Sequence, residues 1–425
     1  MNDDMSGRPQ RHGPRIPFSL ITKPTGAACN LDCSYCFFLS KEVLWEPNSQ
    51  RMDAQTLERF IRSYLDSQPD GQVMIGWQGG EPTLRGLDFF REAVRLSERH
   101  RRPGQQVQHA IQTNATLVDD EWCEFLAAND VLVGVSLDGP AWLHDVFRVN
   151  KAGRGTYEQV RRGWDALRRH GIDPTVLCTV NAANQDHPLE VYRHFRDELG
   201  ASFIQFIPIV ERVAEGQSAE AERGYRDSTG AHVLYRQAGE GVTSRTVEPQ
   251  AWGRFLNAIF DEWVVRDVER VFVQHFDVML GARFGEYSLC VHAPQCGTAL
   301  AMEHTGDVFS CDHYVEPDFR LGNIADNSFT ELLALPQQRQ FGRDKLTTMP
   351  KQCRGCPVRW ACNGGCPKDR FATTADGEPG LNHLCAGYFA FFTHATPAID
   401  AIANLILAGR RPADIMTSGG SRHES

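Results

Sequence analysis

Residues 29–38 read CNLDCSYCFF and place Cys29, Cys33 and Cys36 in the spacing C-x3-C-x2-C. Three thiolates from one loop are one fewer than a [4Fe–4S] cluster normally takes. Two arrangements satisfy the spacing. A remote fourth ligand closes the site, as in a zinc knuckle, or one iron keeps an open position for a ligand that is not protein. The surroundings favour the open iron: the apolar run FSLITKP, residues 18–24, ends just before the loop, and an aromatic residue, Tyr35, directly precedes its last cysteine.

That run is the first of six. VMIGWQ (73–78), VQHAIQT (107–113), VLVGVSLD (131–138), PTVLCTV (174–180) and FIQFIPI (203–209) follow it, at intervals of roughly thirty residues, the length of one βα unit. Helical patterns lie between them. DAQTLERFIRSYLDS puts Leu57, Phe60, Ile61, Tyr64 and Leu65 on one stripe with Asp53 as N-cap, and TYEQVRRGWDALRRHG stops at Gly171. Six such units predict a parallel sheet with right-handed crossovers. Six strands are too few to close an eight-stranded barrel, so the expectation is an α/β fold, an open, partial (β/α)6 barrel.

Ligands of such folds gather at the C-terminal ends of the strands, and the conspicuous residues fall there. The cysteine triad follows the first strand, WQGGEP (77–82) the second, Thr113 and Asn114 the third, and SLDG (136–139) the fourth. Gly79 and Gly80 allow close backbone approach, and Glu81 with neighbouring carbonyls can receive an ammonium group. Ser136 and Asp138 can hydrogen-bond ribose hydroxyls or an amino-acid moiety. Arg148 can grip a carboxylate bidentately. Gln78 and Asn114 stand where a peptide backbone can bind. The open iron itself can chelate the amino and carboxylate groups of S-adenosylmethionine, whose reductive cleavage gives a 5′-deoxyadenosyl radical; the cofactor then carries the hard chemistry.

Thirteen cysteines are many for a chain of 425 residues. Eight of them lie in one stretch: Cys290, Cys296 and Cys311, then Cys353, Cys356, Cys362 and Cys366 in CRGCPVRWACNGGC, then Cys385. Eight thiolates are enough for two fully ligated [4Fe–4S] clusters; two zinc sites are the alternative. Cys123 and Cys178 stand apart and read as small buried hydrophobes.

The motifs SLITKPTGAACNLDCSYCF, WQGGEPTL, QTNATL, VGVSLDGP, QFIPIVE, GDVFSCDHYV and LGNI together resemble the anaerobic sulfatase-maturating enzymes. These belong to the radical S-adenosylmethionine (radical SAM) superfamily and carry a SPASM-type C-terminal extension. The resemblance covers nearly all of residues 17–390. It implies a radical-SAM partial barrel followed by a cysteine-rich α+β domain, with three [4Fe–4S] clusters and S-adenosylmethionine. It assigns Tyr35 and Val210 to the adenine side of the cofactor and the Gly80–Glu81 turn to its methionyl amine. It divides the eight later cysteines into an inner set, Cys290, Cys296, Cys311 and Cys366, and an outer set, Cys353, Cys356, Cys362 and Cys385. It makes Asp312 the base, with His313 as the weaker alternative. Relatives often have Tyr two residues after the third cysteine; Phe38 stands there, so an aromatic wall carries over and a phenol does not.

The implied activity is oxidation of a Cys or Ser in a sulfatase precursor, in a motif of the type C/S-x-P-S-R, to Cα-formylglycine without oxygen. A flavodoxin- or ferredoxin-like protein is the expected electron donor. The alternative is a maturase that forms thioether or other crosslinks in a ribosomally made peptide; such enzymes often add a leader-binding module, for which no room is seen before residue 17. A net charge of −10 speaks against a nucleic-acid surface. No apolar run reaches the roughly 18 residues of a membrane helix, and the N-terminus lacks a signal-peptide core, so a cytoplasmic protein is expected. The expected divisions are a flexible tail at 1–16, the barrel at 17–245 with a polar surface excursion near 214–246, a helical connection at 246–285, the cluster domain at 286–390, and a helix with a polar tail at 391–425.

Overall fold

The computed structural model describes residues 15–46 and 51–418. The tail expected over residues 1–16 lies almost wholly outside them, as does the polar end of the chain. Six parallel strands, β1 (Ser19–Thr22), β2 (Gly71–Trp77), β3 (Gln105–Thr113), β4 (Leu132–Ser136), β5 (Thr175–Val180) and β6 (Phe203–Pro208), pair in sequence order. They coincide with the six apolar runs. The helices α1 (Ala54–Ser67), α2 (Leu87–His100), α3 (Asp120–Ala128), α4 (Ala141–Phe147), α5 (Tyr157–Arg169) and α6 (Pro188–Arg193) fall between or after them. Asp53 caps α1, its carboxylate accepting from the Thr56 N–H at 2.7 Å. Alternation along β2 sends Val73, Ile75 and Trp77 into the core. There Trp77 meets Phe60 of α1 and Phe89 and Phe90 of α2 edge-on. Cys123 and Cys178 are fully buried.

The sheet does not stop at six strands. Phe272–Val273 adds in parallel to β6. On the other side Ala299–Met302 adds in parallel to β1, and Asp307–Phe309 and Arg320–Asn323 continue antiparallel. The cysteine-rich region is therefore hydrogen-bonded into the barrel sheet: Thr22 sits opposite Met302, and the Lys23 N–H donates to the Met302 carbonyl at 2.9 Å. This pairing brings the segment after residue 302 alongside the triad loop.

Two further expectations change. The polar segment near 214–246 has a small core of its own, Val213, Ala221, Tyr225 and Tyr235, and a buried Arg245–Glu211 ion pair at 2.9 Å. A long helix runs from Cys385 to Leu407, through the division expected at 390. Its 23 residues are long and apolar enough, by length and composition, to cross a membrane, although polar residues interrupt them in the sequence. Within the fold it buries Phe391, Phe392, Ile399 and Ile402, and Phe391 packs on Phe260 and Phe276.

Candidate active site

The triad loop leaves β1 and is held from three sides. The backbone N–H groups of Gly80 and Glu81 donate to the carbonyls of Gly26 and Ala28, both at 2.9 Å. A Cβ on Gly80 would lie 2.0 Å from the Ala28 oxygen. The glycine pair thus admits the backbone of the cysteine loop itself, where a ligand was expected to approach. Glu81 is fully buried, and four donors occupy its carboxylate: the Thr83 N–H and hydroxyl, the Thr113 hydroxyl and the Asn114 N–H. An ammonium group at this turn is left to backbone carbonyls, because the carboxylate is engaged in joining the ends of β2 and β3.

Asn114, expected at a peptide-binding position, is turned towards the triad loop. Its amide donates to Asn30 Oδ1 at 2.9 Å and reaches Cys29 Sγ at 3.7 Å, and its oxygen accepts from the Thr116 N–H and hydroxyl. With its hydrogen-bonding groups committed, it supports the loop and offers little to a peptide. Gln78 is half-buried just past β2, and its N–H donates to the Thr22 carbonyl.

Asp138, Tyr35 and Arg148 form one buried constellation. Asp138 Oδ2 accepts from the Tyr35 hydroxyl at 2.5 Å and pairs with Arg148 Nε at 3.0 Å, while Oδ1 accepts from the Thr179 N–H at 3.0 Å. Burial works against the Arg148 charge, and Asp138 more than restores it, so its pKa is raised. These partners make Asp138 the residue that positions Tyr35 and Arg148. Arg148 spends one edge on Asp138. Its Nη2 lies 3.3 Å from the Thr179 hydroxyl, and the guanidinium carbon stands 5.5 Å from the Tyr35 ring centroid. Ser136 accepts from Gln112 at 3.0 Å, and Val210 is buried in the core just past β6.

A second constellation was not expected from sequence. Lys23, directly after β1, is 1% exposed and pairs with Asp312 at 2.8 Å and Glu303 at 3.0 Å. Its ammonium also lies 4.7 Å from the centroid of Phe38, and Phe37 stacks obliquely between Phe38 and His313. Burial lowers the Lys23 pKa, but the two carboxylates overcome it and hold it at about 12. Residues from the triad loop (Phe38), from β1 (Lys23) and from the turn after Cys311 (Asp312) thus meet at one point. Burial pushes the His313 pKa down to about 4, which keeps that imidazole neutral. Asp312, His313 and Phe38 were expected here from the resemblance; the sign of Lys23 in the sequence was only a lysine at the C-terminal end of an apolar strand.

All thirteen cysteines are free thiols, and the electrostatic neighbours of all but Cys123 and Cys178 separate them into three sets. Cys29, Cys33 and Cys36 interact within the triad. Cys311 and Cys366 feel Cys290, and so does Cys296. Cys362 and Cys385 feel Cys353 and Cys356. Burial raises the thiols, Cys33, Cys362 and Cys366 to about 12 and Cys385 to about 11. Thiolates there need compensating positive charge, which ligation to iron supplies. Among the described residues no three His, Cys, Asp or Glu side chains converge closely enough for a single metal ion. The fit to clusters therefore rests on this grouping, which coincides with the triad and the inner and outer sets.

A loop of three thiols at the mouth of a partial barrel, with eight more beyond it, defines a class, and the comparisons agree. Residues 24–193 match the Radical SAM superfamily and residues 290–357 the SPASM iron–sulfur cluster-binding domain. The chain is 42% identical over 404 residues, 94% of each protein, to the serine-type anaerobic sulfatase-maturating enzyme of Bacteroides thetaiotaomicron. To the cysteine-type enzyme of Clostridium perfringens it is 30% identical over 92% of this chain and 99% of that one. The solved structure of native anSMEcpe with bound AdoMet is 30% identical with a TM-score of 0.79, covering 91% of this chain and 100% of that one. The protein is a radical SAM enzyme with a SPASM extension. Within that class it belongs to the anaerobic sulfatase-maturating enzymes.

Proposed function

We propose that this enzyme oxidises a Cys or Ser side chain of a sulfatase precursor peptide to Cα-formylglycine without oxygen, in the cytoplasm, with electrons from a flavodoxin- or ferredoxin-like protein. The relatives named above are of both serine and cysteine type, and one solved relative holds AdoMet with the Cp18Cys peptide. The observation that carries the reading is the meeting of Asp312, Lys23 and Phe38 between the triad loop and the turn after Cys311.

Cys29, Cys33 and Cys36 would hold the first cluster, and the inner and outer cysteine sets the auxiliary two. Bound there, these clusters and S-adenosylmethionine supply a hydrogen-abstracting radical and an acceptor for the electron that the oxidation releases. The chain's own residues do the rest. The turn around Gly80, with Tyr35 and Arg148, offers carbonyls, a ring and a guanidinium to the cofactor. Phe38 walls the space in which the target side chain lies. Asp312 takes the thiol or hydroxyl proton; a carboxylate fixed by an ion pair is placed for such a transfer. Lys23 holds that carboxylate in place through their 2.8 Å ion pair.

The test is anaerobic reconstitution with peptides carrying C-x-P-S-R or S-x-P-S-R, read by mass spectrometry and by trapping of the aldehyde with a hydrazide. Formation of the aldehyde is expected. A crosslinked peptide without aldehyde would replace this reading with the maturase alternative.

A further inference from the structure

Three residues separate Cys362 of the outer set from Cys366 of the inner set, and all three are left-handed: Asn363 (φ 46°), Gly364 (φ 73°) and Gly365 (φ 63°). Such a run is costly, most of all for the asparagine. It turns successive carbonyls towards one side chain, Arg370. The guanidinium donates to the carbonyls of Gly364 (2.9 Å), Asn363 (2.8 Å) and Gly365 (3.3 Å), and its remaining arm to that of Lys345 (2.5 Å). A Cβ on Gly364 would come within 2.7 Å of Arg370 Nη2, so the glycine is what lets the arginine lie against the loop. Lys345 is itself fully buried, and its ammonium donates to the carbonyls of Cys290 and, at 2.8 Å, Val291.

Neither cation has a carboxylate partner in these contacts. Arg370 itself bears on Lys345 as a like charge, and the opposing charges acting on the two are thiols. Lys345 faces Cys366, Cys296 and Cys290, three of the four inner ligands. Arg370 faces Cys353 and Cys362 of the outer set and Cys366 and Cys296 of the inner set. A fully buried ammonium and a half-buried guanidinium held only by carbonyls are costly, and the anionic clusters would be what compensates them. Reduction adds negative charge to a cluster, and a fixed cation nearby stabilises the reduced form, so net charge and burial set the potential.

We infer that Lys345 and Arg370 are positioning charges that raise the reduction potentials of the auxiliary clusters, Lys345 acting on the inner one and Arg370 on both. This rests on the proposed function. There the deprotonated peptide radical would give up one electron as the aldehyde or thioaldehyde forms, and an inner cluster held by Cys290, Cys296, Cys311 and Cys366 would supply the one-electron acceptor.

The experiment is an EPR-monitored redox titration of the full, reconstituted enzyme. Lys345→Gln should shift one auxiliary midpoint to lower potential, and Arg370→Gln should shift both, at parental iron and sulfide content. Asp369→Asn, which removes a negative charge near Cys366, should shift the inner midpoint the opposite way. Fully loaded glutamine variants that titrate at the parental potentials overturn the inference. Should they fail to load, Asp369→Asn decides, since it changes the charge beside Cys366: a raised inner midpoint supports the inference and an unchanged one overturns it. Aldehyde formation is assayed separately. Shifted midpoints without any aldehyde from the parent would sink the proposed reaction and leave the charge assignment standing.

Discussion

Lys23 and Asp312 are 289 positions apart in sequence and 2.8 Å apart in the fold. The contact exists because Ala299–Met302 pairs in register with β1, and it ties the proposed base to the strand from which the triad loop emerges. Lys23 also holds Glu303, so one buried ammonium serves two buried carboxylates. Removing one partner of a buried pair typically costs about 3–5 kcal/mol. Lys23→Met is therefore expected to lower unfolding stability by about that amount in a denaturant titration, and Lys23→Met with Glu303→Gln to recover part of it. The Lys23 contribution is complete below its unfolded pKa and disappears as pH rises through about 12. A stability loss below about 1 kcal/mol would show that the pair is as weak as a surface one.

Asp312→Asn separates the base from the radical chemistry. The substitution keeps the shape of the side chain and removes the charge that accepts a proton. Aldehyde formation should fall at least 100-fold, the lower end of what a positioned general base contributes (about 10²–10⁴). Release of 5′-deoxyadenosine should continue, since the triad and the Tyr35–Asp138–Arg148 constellation are untouched. Equal loss of both products would place Asp312 in cofactor binding.

Asp138 anchors the other constellation. It is 1% exposed, and Arg148 depends on it for its ion pair. Asp138→Asn leaves the guanidinium buried without a countercharge and frees the Tyr35 hydroxyl from its carboxylate. Stability should drop by about 3–5 kcal/mol, and binding of S-adenosylmethionine, read by equilibrium dialysis, should weaken as well. Binding at parental strength would mean that Arg148 and Tyr35 keep their places without Asp138.

These constellations mark the limit of what could be read before the fold was known. The six strands were legible because each is an apolar run between polar turns, and α1 because its stripe and cap are local. The cysteine sets were legible as ligands by spacing, but their division followed only from resemblance, since each set joins cysteines far apart in the chain, Cys366 with Cys290 and Cys385 with Cys353. Glu81 and Asp138 were read as free carboxylates because nothing local in the sequence announces Thr113, Asn114, Tyr35 or Thr179 as their partners. Lys23 looked like the polar end of a strand; its role depends on a non-local strand pairing that no periodicity encodes.

Gly80 gives a test of the triad loop alone. Alanine there would bring its Cβ to 2.0 Å from the Ala28 oxygen, and backbone on both sides of the contact cannot yield as a flexible side chain can. The loop must move off the β2 turn, one residue before Cys29. Gly80→Ala should therefore lose the first cluster while keeping the auxiliary pair, with iron falling from about twelve per chain towards about eight. Cofactor cleavage should vanish with it. Full iron content with normal cleavage would show that the turn tolerates a Cβ.

A last prediction concerns acid. Trp77 Nε1 donates to His109 Nδ1 at 3.0 Å, which requires that nitrogen to be unprotonated. The ring is 6% exposed, and burial lowers its pKa from 6.5 to about 4. A histidine with a depressed folded pKa binds its proton more readily in the unfolded chain. Its contribution to stability is present above the unfolded value and is lost as pH falls from about 6.5 towards 4. The shift corresponds to about 3 kcal/mol. Clusters also suffer in acid, so the parent alone cannot isolate this effect. The comparison is between the parent and His109→Gln, loaded alike and unfolded by denaturant at pH 7 and pH 5. The glutamine variant should be less stable at pH 7 and show a smaller drop on acidification. Equal pH slopes for the two proteins would mean that His109 is protonated in the fold, or exposed to water, in this range.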